Sequence, residues 1–255
     1  MSLKSLISSR ELKHSIWIIV ILTLIFGFND KSNVFVFSHW IYNLFSIFIL
    51  VVITMLAHMV GAKLAANSLS QDAELSIVSM KGLKINVLGA RIEEKFDWNI
   101  FGFKVKYIPF STIVGLFFML LSYGTFYFTA VSTIIVKRIP RFGKGFYLDE
   151  NKEALIYFWA LVANLILMVI FMWLNINEGV LINAYFVFWN LLPIHGLLGS
   201  KILFNNKTLY IFFLVFALIF LLFIGKISLI LLLIFGIIIA FFVMMLWFFK
   251  FEYKP

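Results

Sequence analysis

Two histidines lie inside apolar stretches, where an ionisable side chain has a large desolvation cost and so needs an explanation. His58 stands in MLAHMVGAKLAA, which is 55–66, and His195 stands in FWNLLPIHGLLGSKILF, which is 188–204. Imidazole binds divalent metals and transfers protons near neutral pH. A helix with histidines at i and i+4, and a glutamate directly after the first, presents a zinc site and its general base on one face. Here Met59 and Ala62 occupy the glutamate and second histidine positions.

The composition indicates the class of protein that must position these residues. Of 255 residues, 63% are hydrophobic and 13% are charged, and the mean hydropathy is +1.05, which is far from that of soluble domains. The chain has no cysteine, so disulfides and thiolate metal sites are excluded. The net charge of +9 comes from lysines and arginines that flank apolar segments, which favours contact with membrane lipids and not with nucleic acid.

The apolar runs predict an all-α polytopic membrane protein with about six transmembrane helices, a re-entrant segment and a small amount of β structure. The predicted spans are 15–28, 39–66, 154–174, 179–203, 208–224 and 227–249. The remaining apolar segment, 109–136, is long enough to cross once, but its second half is rich in residues that favour extended structure. Strands for it to pair with are available in the loop 67–108, in LKINVL, ARIEEKF and FKVKYI.

The distribution of basic residues distinguishes a re-entrant segment from a spanning one, because lysine and arginine collect in short cytoplasmic loops. If 109–136 re-enters and the amino terminus is inside, 19 of the 21 basic residues lie on the cytoplasmic side. If the segment spans, the division is 11 inside and 10 outside. We therefore predict a multi-pass protein of the cell membrane with a re-entrant segment, cytoplasmic loops at 67–108 and 137–153, and both termini in the cytoplasm.

A proline interrupts the apolar run around His195. Asn190 and Pro193 stand within an otherwise helical stretch, and the proline removes a backbone donor. A carbonyl freed in lipid needs a partner, and the Asn190 side-chain amide is one candidate. Gly196 and Gly199 follow and allow another segment to approach closely.

Together these stretches resemble the site-2 protease family of intramembrane zinc metalloproteases, particularly its archaeal branch. In that family H-E-x-x-H on one membrane helix supplies two zinc ligands and the general base, and N-x-x-P-x-x-x-x-D-G on a later helix supplies the third ligand. HMVGAKLAANSLSQDAEL is similar to the family's zinc helix and the strand after it, and WNLLPIHGLLGSKIL is similar to the aspartate motif. ALVANLIL stands where the family carries a helix with G-P-x-x-N.

The resemblance fails at the catalytic positions. His58 matches the first histidine, but Met59, Ala62 and Leu198 stand where the family has its glutamate, second histidine and aspartate. Asn190, Pro193 and Gly199 do match, and in the family this region helps hold an extended substrate segment. The resemblance therefore implies a catalytically inactive homologue that binds membrane-embedded helices or a protease partner. The former site is expected to be repacked as apolar core, without a cofactor.

Other readings stay open. His58 is either a remaining metal ligand or a neutral histidine hydrogen-bonded to a nearby backbone group or hydroxyl. An atypical zinc metalloprotease would use His58 and His195, with Asn190 or His39 as further ligands. A small channel or carrier would line its path with the re-entrant segment, although charged residues are scarce in the predicted spans.

Overall fold

The computed structural model describes residues 8–32, 34–79, 82–87, 90–95, 98–100, 103–105, 109–138 and 149–251. Eight helices and six strands lie within these ranges. The helices are α1 Ser9–Gly27, α2 Phe37–Ser68, α3 Phe110–Leu121, α4 Glu150–Trp173, α5 Asn177–Leu191, α6 Leu198–Asn205, α7 Lys207–Phe223 and α8 Leu229–Phe251. The strands are β1 Gln71–Ile77, β2 Gly82–Val87, β3 Ala90–Lys95, β4 Trp98–Ile100, β5 Phe103–Val105 and β6 Ser132–Arg138.

Helices dominate the described residues, and among them α2, α4 and α8 are long and apolar enough to cross a membrane. Each exceeds the 18 or so residues that a bilayer requires. Their outward faces are apolar, as expected of helices in contact with lipid; on α8, for example, Ile230 is 72% exposed and Phe242 61%. Length and composition therefore indicate a membrane protein.

Side-chain caps fix where several helices begin. Ser8 Oγ accepts from the Glu11 backbone N–H at 3.1 Å at the start of α1. Asn206 Oδ1 accepts from the Leu209 N–H at 2.8 Å at the start of α7. Such caps satisfy N–H groups that have no partner inside the helix.

The predicted span 179–203 consists of two helices, with a break at the proline that was expected to interrupt it. Helix α5 ends at Leu191, Leu192 is extended (φ −61°, ψ 143°), and α6 begins at Leu198. The physical reason is Pro193, which disfavours helical backbone in the residue before it. The Asn190 amide does not repair the break, because it donates to the Phe186 carbonyl oxygen at 3.0 Å within its own helix. The Trp189 carbonyl accepts instead from the Leu192 N–H at 3.3 Å.

The segment 109–136 forms a helix, a turn and a strand. Helix α3 is followed by left-handed residues Tyr123 (φ 52°) and Gly124 (φ 73°), and then by β6. Strand β6 pairs antiparallel with β1, with Leu75 opposite Ile134. The strand in the second half was predicted, and its partner was expected in the loop 67–108. The partner β1 lies in that loop, but outside the stretches LKINVL, ARIEEKF and FKVKYI. The three quoted stretches of the loop 67–108 contribute to local hairpins, in which β2 pairs with β3 and β4 with β5.

Helix α4 lies at the centre of the packing and contacts α2, α5 and α6, while α7 packs against α8. Helices α2 and α4 approach each other closely at Gly61, where a Cβ atom would lie 2.6 Å from Ala163 Cβ and 2.8 Å from the Trp159 carbonyl oxygen. The small residues of GAKLAA and ALVANL thus permit close helix packing, as helices in lipid commonly require.

Candidate functional site: a buried histidine between three helices

His58 is fully buried between α2, α4 and α5. Its Nδ1 lies 2.8 Å from Asn164 Oδ1 and 3.2 Å from the Ala160 carbonyl oxygen. A carbonyl oxygen can only accept, so Nδ1 carries the proton. Phe186 packs against the ring edge-on, with ring centroids 4.9 Å apart. The imidazole is thus hydrogen-bonded to a backbone carbonyl, as one of the two interpretations of His58 predicted. It is also hydrogen-bonded to the side-chain amide of Asn164.

The other ring nitrogen of His58 is in a different situation. Nε2 is buried and has no hydrogen-bond partner among the described residues. A second proton there would make an imidazolium without a counter-ion in an apolar interior, which is strongly unfavourable. The ring is therefore neutral, and Nε2 carries a bare lone pair.

A polar network extends from His58 across the three helices. The Asn164 amide donates to Asn183 Oδ1 at 3.0 Å and to the Thr54 carbonyl oxygen at 3.2 Å. The Asn183 amide donates to Thr54 Oγ1 at 3.1 Å and to the Gly179 carbonyl oxygen at 2.9 Å. Thr54, Asn164 and Asn183 are all 0% exposed. Every donor of the two amides is thereby satisfied, which is the condition under which buried polar groups are tolerated.

The three positions at which this sequence differs from the catalytic residues of the site-2 protease motifs lie in the apolar core. Met59, Ala62 and Leu198 all belong to the hydrophobic core, with exposures of 8%, 2% and 0%. The Met59 sulfur accepts a weak hydrogen bond from Ser15 Oγ of α1 at 3.7 Å. Position 59 therefore contributes to helix packing and supplies no carboxylate beside His58.

This donor set does not fit a zinc ion. Catalytic zinc sites use three protein ligands and a water, whereas His58 Nε2 is the one nitrogen with a free lone pair here. Ala62 and Leu198 have no donor atom. Across the ranges that the structure describes, no group of three His, Cys, Asp or Glu residues is arranged to hold a metal.

The region around Asn190 and Pro193 is shaped by a close backbone contact. A Cβ atom on residue 199 would lie 2.0 Å from the Leu191 carbonyl oxygen, so α6 can begin against the end of α5 only with glycine at this position. Asn190 is fully buried, and its Oδ1 has no partner in the described part of the chain. Pro193 is exposed.

The structure does not bring the other histidines to His58. His195 is exposed and lines a cavity whose lining does not include His58. His39 lies near the start of α2, where its Nδ1 is 2.9 Å from Asp30 Oδ2. At 1.5 Å per residue, it is about 28 Å along the helix from His58.

An ion pair anchors α1 to α2 and β1. Glu11 is 1% exposed, and its Oε2 lies 2.9 Å from Lys63 Nζ. Its Oε1 accepts from the Leu75 N–H at 3.2 Å. On the opposite strand Lys137 pairs with Glu74, and this ammonium holds the pKa of the Glu74 carboxyl below its usual value. Glu74 is thus a paired residue of the sheet and not a freely solvated charge.

A groove of about 560 Å³ lies between α2 and α4 on the outside of the helices. Small residues line it on the α2 side at four-residue intervals, namely Ala57, Gly61 and Ala65. Its rim is apolar and exposed, with Leu64 at 66% and Ile166 at 54%. The groove is shallow and runs along the two adjoining helices.

Sequence reasoning identified His58 and missed the residues that hold it. The available signal was the presence of Asn164 and Asn183 within apolar helices, since amides in such positions need internal partners. The pairing of Glu11 with Lys63 gave no local signal, because the two residues are 52 positions apart. Comparison of the chain with models of protein families, with curated proteins and with solved structures finds no match.

Proposed function

We propose that this chain is a site-2 protease-like membrane protein without peptidase activity, which binds a membrane-embedded helix of another protein. The proposal includes six membrane crossings, which the apolar runs predict. It also includes a re-entrant 109–136 segment and cytoplasmic termini, which follow from the distribution of basic residues. The observation that carries the proposal is the environment of His58.

The hydrogen bonds of His58 support the loss of catalysis. Water attack on a peptide bond needs a base within hydrogen-bond reach of the water. The groups around His58 are the Asn164 amide, the Ala160 carbonyl and the Phe186 ring, and none of these is a carboxylate. The imidazole and the two asparagines act instead as a polar link between helices.

The groove between α2 and α4 supports the binding of a helix. Gly61 already lies against α4, close to Ala163 and Trp159, and forms the floor of the groove. Ala57 and Ala65 lie four residues to either side of it, and their small side chains keep the groove open to a further helix. Ser68 is its one polar lining side chain among the described residues, so the partner segment should be uncharged and apolar. A partner helix would gain van der Waals contact and displace lipid, which are the driving forces for helix association in a bilayer.

The first experiment tests the lack of catalysis. The full chain, purified in a neutral detergent, is assayed for zinc content and for cleavage of transmembrane peptides, beside a Met59→Glu variant. We expect zinc well below one equivalent and no cleavage by the wild type. The opposite result would be about one zinc per chain, together with peptide cleavage that His58→Ala abolishes and Met59→Glu leaves unchanged. That result would support the atypical metalloprotease and overturn this proposal.

The second experiment tests the groove. Energy transfer in liposomes reports association between the labelled chain and a labelled apolar helix that carries alanines at four-residue spacing. Ala57→Trp should fill the groove and weaken association about tenfold, which corresponds to about 1.4 kcal/mol. Ile238→Trp is the matched control, since Ile238 is exposed on α8 outside the groove. Equal association of the two variants would assign helix binding to another surface.

A further inference from the structure

A second cavity, separate from the groove and from His58, lies beside the β1–β6 sheet. Its volume is about 330 Å³, within the range of small-molecule sites. Apolar side chains from several elements line it, among them Ile77, Phe110, Phe128 and Ile194. We call it the sheet cavity.

Three basic side chains line the sheet cavity, and they come from separate parts of the chain. They are Arg10 in the first turn of α1, His195 in the connection between α5 and α6, and Lys201 in α6. Among the described lining residues there is no aspartate or glutamate. A largely apolar cavity with basic groups and no acid is complementary to an anion that carries an apolar chain.

Lys201 has the most constrained position of the three. Its Nζ donates to the Ile134 carbonyl oxygen at 2.6 Å and to Thr133 Oγ1 at 2.8 Å, so two of its three N–H donors are used. Both acceptors are neutral, and within the described residues no carboxylate forms an ion pair with it. The Tyr157 ring lies 5.2 Å from Nζ and stabilises the ammonium in part. A bound anion would supply the counter-ion that the ring does not.

Glu153 is an acidic group that acts on Lys201 electrostatically. Its Oε2 is already shared by two donors, accepting from Asn205 Nδ2 at 3.1 Å and from Tyr157 Oη at 3.4 Å. Glu153 does not line the sheet cavity. The charge that faces the cavity is therefore positive.

We propose that the sheet cavity binds a long-chain fatty acid, with its carboxylate at Lys201 and its chain against the apolar lining. The volume of the sheet cavity is near the lower limit of the volumes found for ligand sites. This volume favours a ligand with one acyl chain over a phospholipid with two. Burial of each methylene contributes about 0.8 kcal/mol, so the chain supplies affinity and the carboxylate supplies orientation. The proposal does not depend on the function proposed for the groove.

The test measures binding of radiolabelled palmitate to the full chain in nanodiscs of neutral phosphatidylcholine. We expect saturable binding of about one palmitate per chain, with hexadecanol and acetate at least about tenfold weaker as competitors, since one lacks the charge and the other lacks the chain. Lys201→Met should weaken palmitate binding about tenfold, since a charge-assisted hydrogen bond is lost. Lys207→Met is the matched control, because Lys207 is exposed and does not line the cavity.

Arg10→Gln provides a second variant in case Lys201→Met prevents folding. Because Arg10 is exposed, its replacement should leave the fold intact. It should also weaken palmitate binding while leaving hexadecanol unaffected. Equal binding of palmitate and hexadecanol, or wild-type affinity in both variants, would overturn the proposal. Binding of an extended apolar peptide with a free carboxylate, without binding of palmitate, would assign the cavity to a peptide and overturn it too.

Discussion

His58 Nδ1 and Asn164 Oδ1 lie 2.8 Å apart and join α2 to α4 across 106 residues of sequence. The bond connects to Asn183 on α5, so one polar cluster links three helices whose other contacts are largely apolar. Apolar side chains in lipid have little preference for one rotation of a helix over another. The cluster specifies both the rotation and the register of these helices.

Loss of the central amide should destabilise the protein. Asn164→Leu removes the shorter of the two hydrogen bonds from His58 Nδ1 and the donor to Asn183, leaving buried polar groups with fewer partners. We expect the free energy of unfolding to fall by about 1–3 kcal/mol, measured by thermal or denaturant unfolding in detergent. Asn151→Ala is the control, since it removes an asparagine whose side-chain hydrogen bond is exposed to solvent.

A double-mutant cycle separates the pair from the rest of the cluster. If His58 and Asn164 stabilise each other, His58→Phe together with Asn164→Leu should cost less than the sum of the two single changes. The difference should be about 0.6–1.7 kcal/mol, the range seen for hydrogen bonds between membrane helices. Strict additivity would show that the two side chains contribute independently.

The long helices were predictable because apolar runs indicate them directly. The span predicted at 39–66 lies within α2, and that at 154–174 overlaps nearly all of α4. The strand after Gly124 was also expected from its β-branched residues, since local preference and the final structure agree there. A partner in the loop 67–108 was expected, but not β1 itself, because partner choice depends on how α1 and α2 position that strand.

The site was only partly predictable. His58 was identified from its residue type, but its partners required knowledge of which faces of α2, α4 and α5 meet. The sequence left its role undecided between metal ligand and hydrogen-bonded core residue. Glu11 drew no attention because a carboxylate near a chain end normally remains in water, and its burial depends on a lysine far along the chain.

The contact between Gly199 and Leu191 leads to a third prediction. Gly199→Ala places a methyl group 2.0 Å from a backbone oxygen, so the end of α5 or the start of α6 must move. We expect a loss of about 3 kcal/mol in stability, or failure to fold, because backbone cannot yield as a flexible side chain can. Thermal unfolding and expression level report the effect.

Gly236→Ala is the matched control for that change. Gly236 also lies buried in a helix, but a Cβ there would be 3.4 Å from the Phe216 ring, which is ordinary contact. Since alanine is favoured over glycine within helices, this variant should be stabilised by about 0.5–1 kcal/mol. Similar effects of the two substitutions would contradict the close approach at residue 199.

Breaking the Glu11 ion pair should be severe. Glu11→Gln removes the buried negative charge that lies 2.9 Å from Lys63 Nζ, and it weakens the acceptor for the Leu75 N–H. Removal of one partner from a buried pair typically costs about 3–5 kcal/mol, read from unfolding in detergent. Asp149→Asn tests an exposed pair with Lys152 and should change stability by at most about 1 kcal/mol. A small effect at Glu11 would mean that water reaches this pair.

Asp30 gives a prediction in acid. A hydrogen bond from His39, followed by two from Ser32, lowers the pKa of this carboxyl from 3.8 to about 2. A carboxyl whose pKa is lower in the folded state stabilises the fold above its unfolded pKa, and that stabilisation is lost as pH falls through the folded pKa. The stability difference between wild type and Asp30→Asn, followed by thermal unfolding in detergent, should therefore be fully present at about pH 5 and shrink between about pH 4 and pH 2. A difference that persists unchanged at pH 2 would show that the ionised carboxylate is not what stabilises this loop.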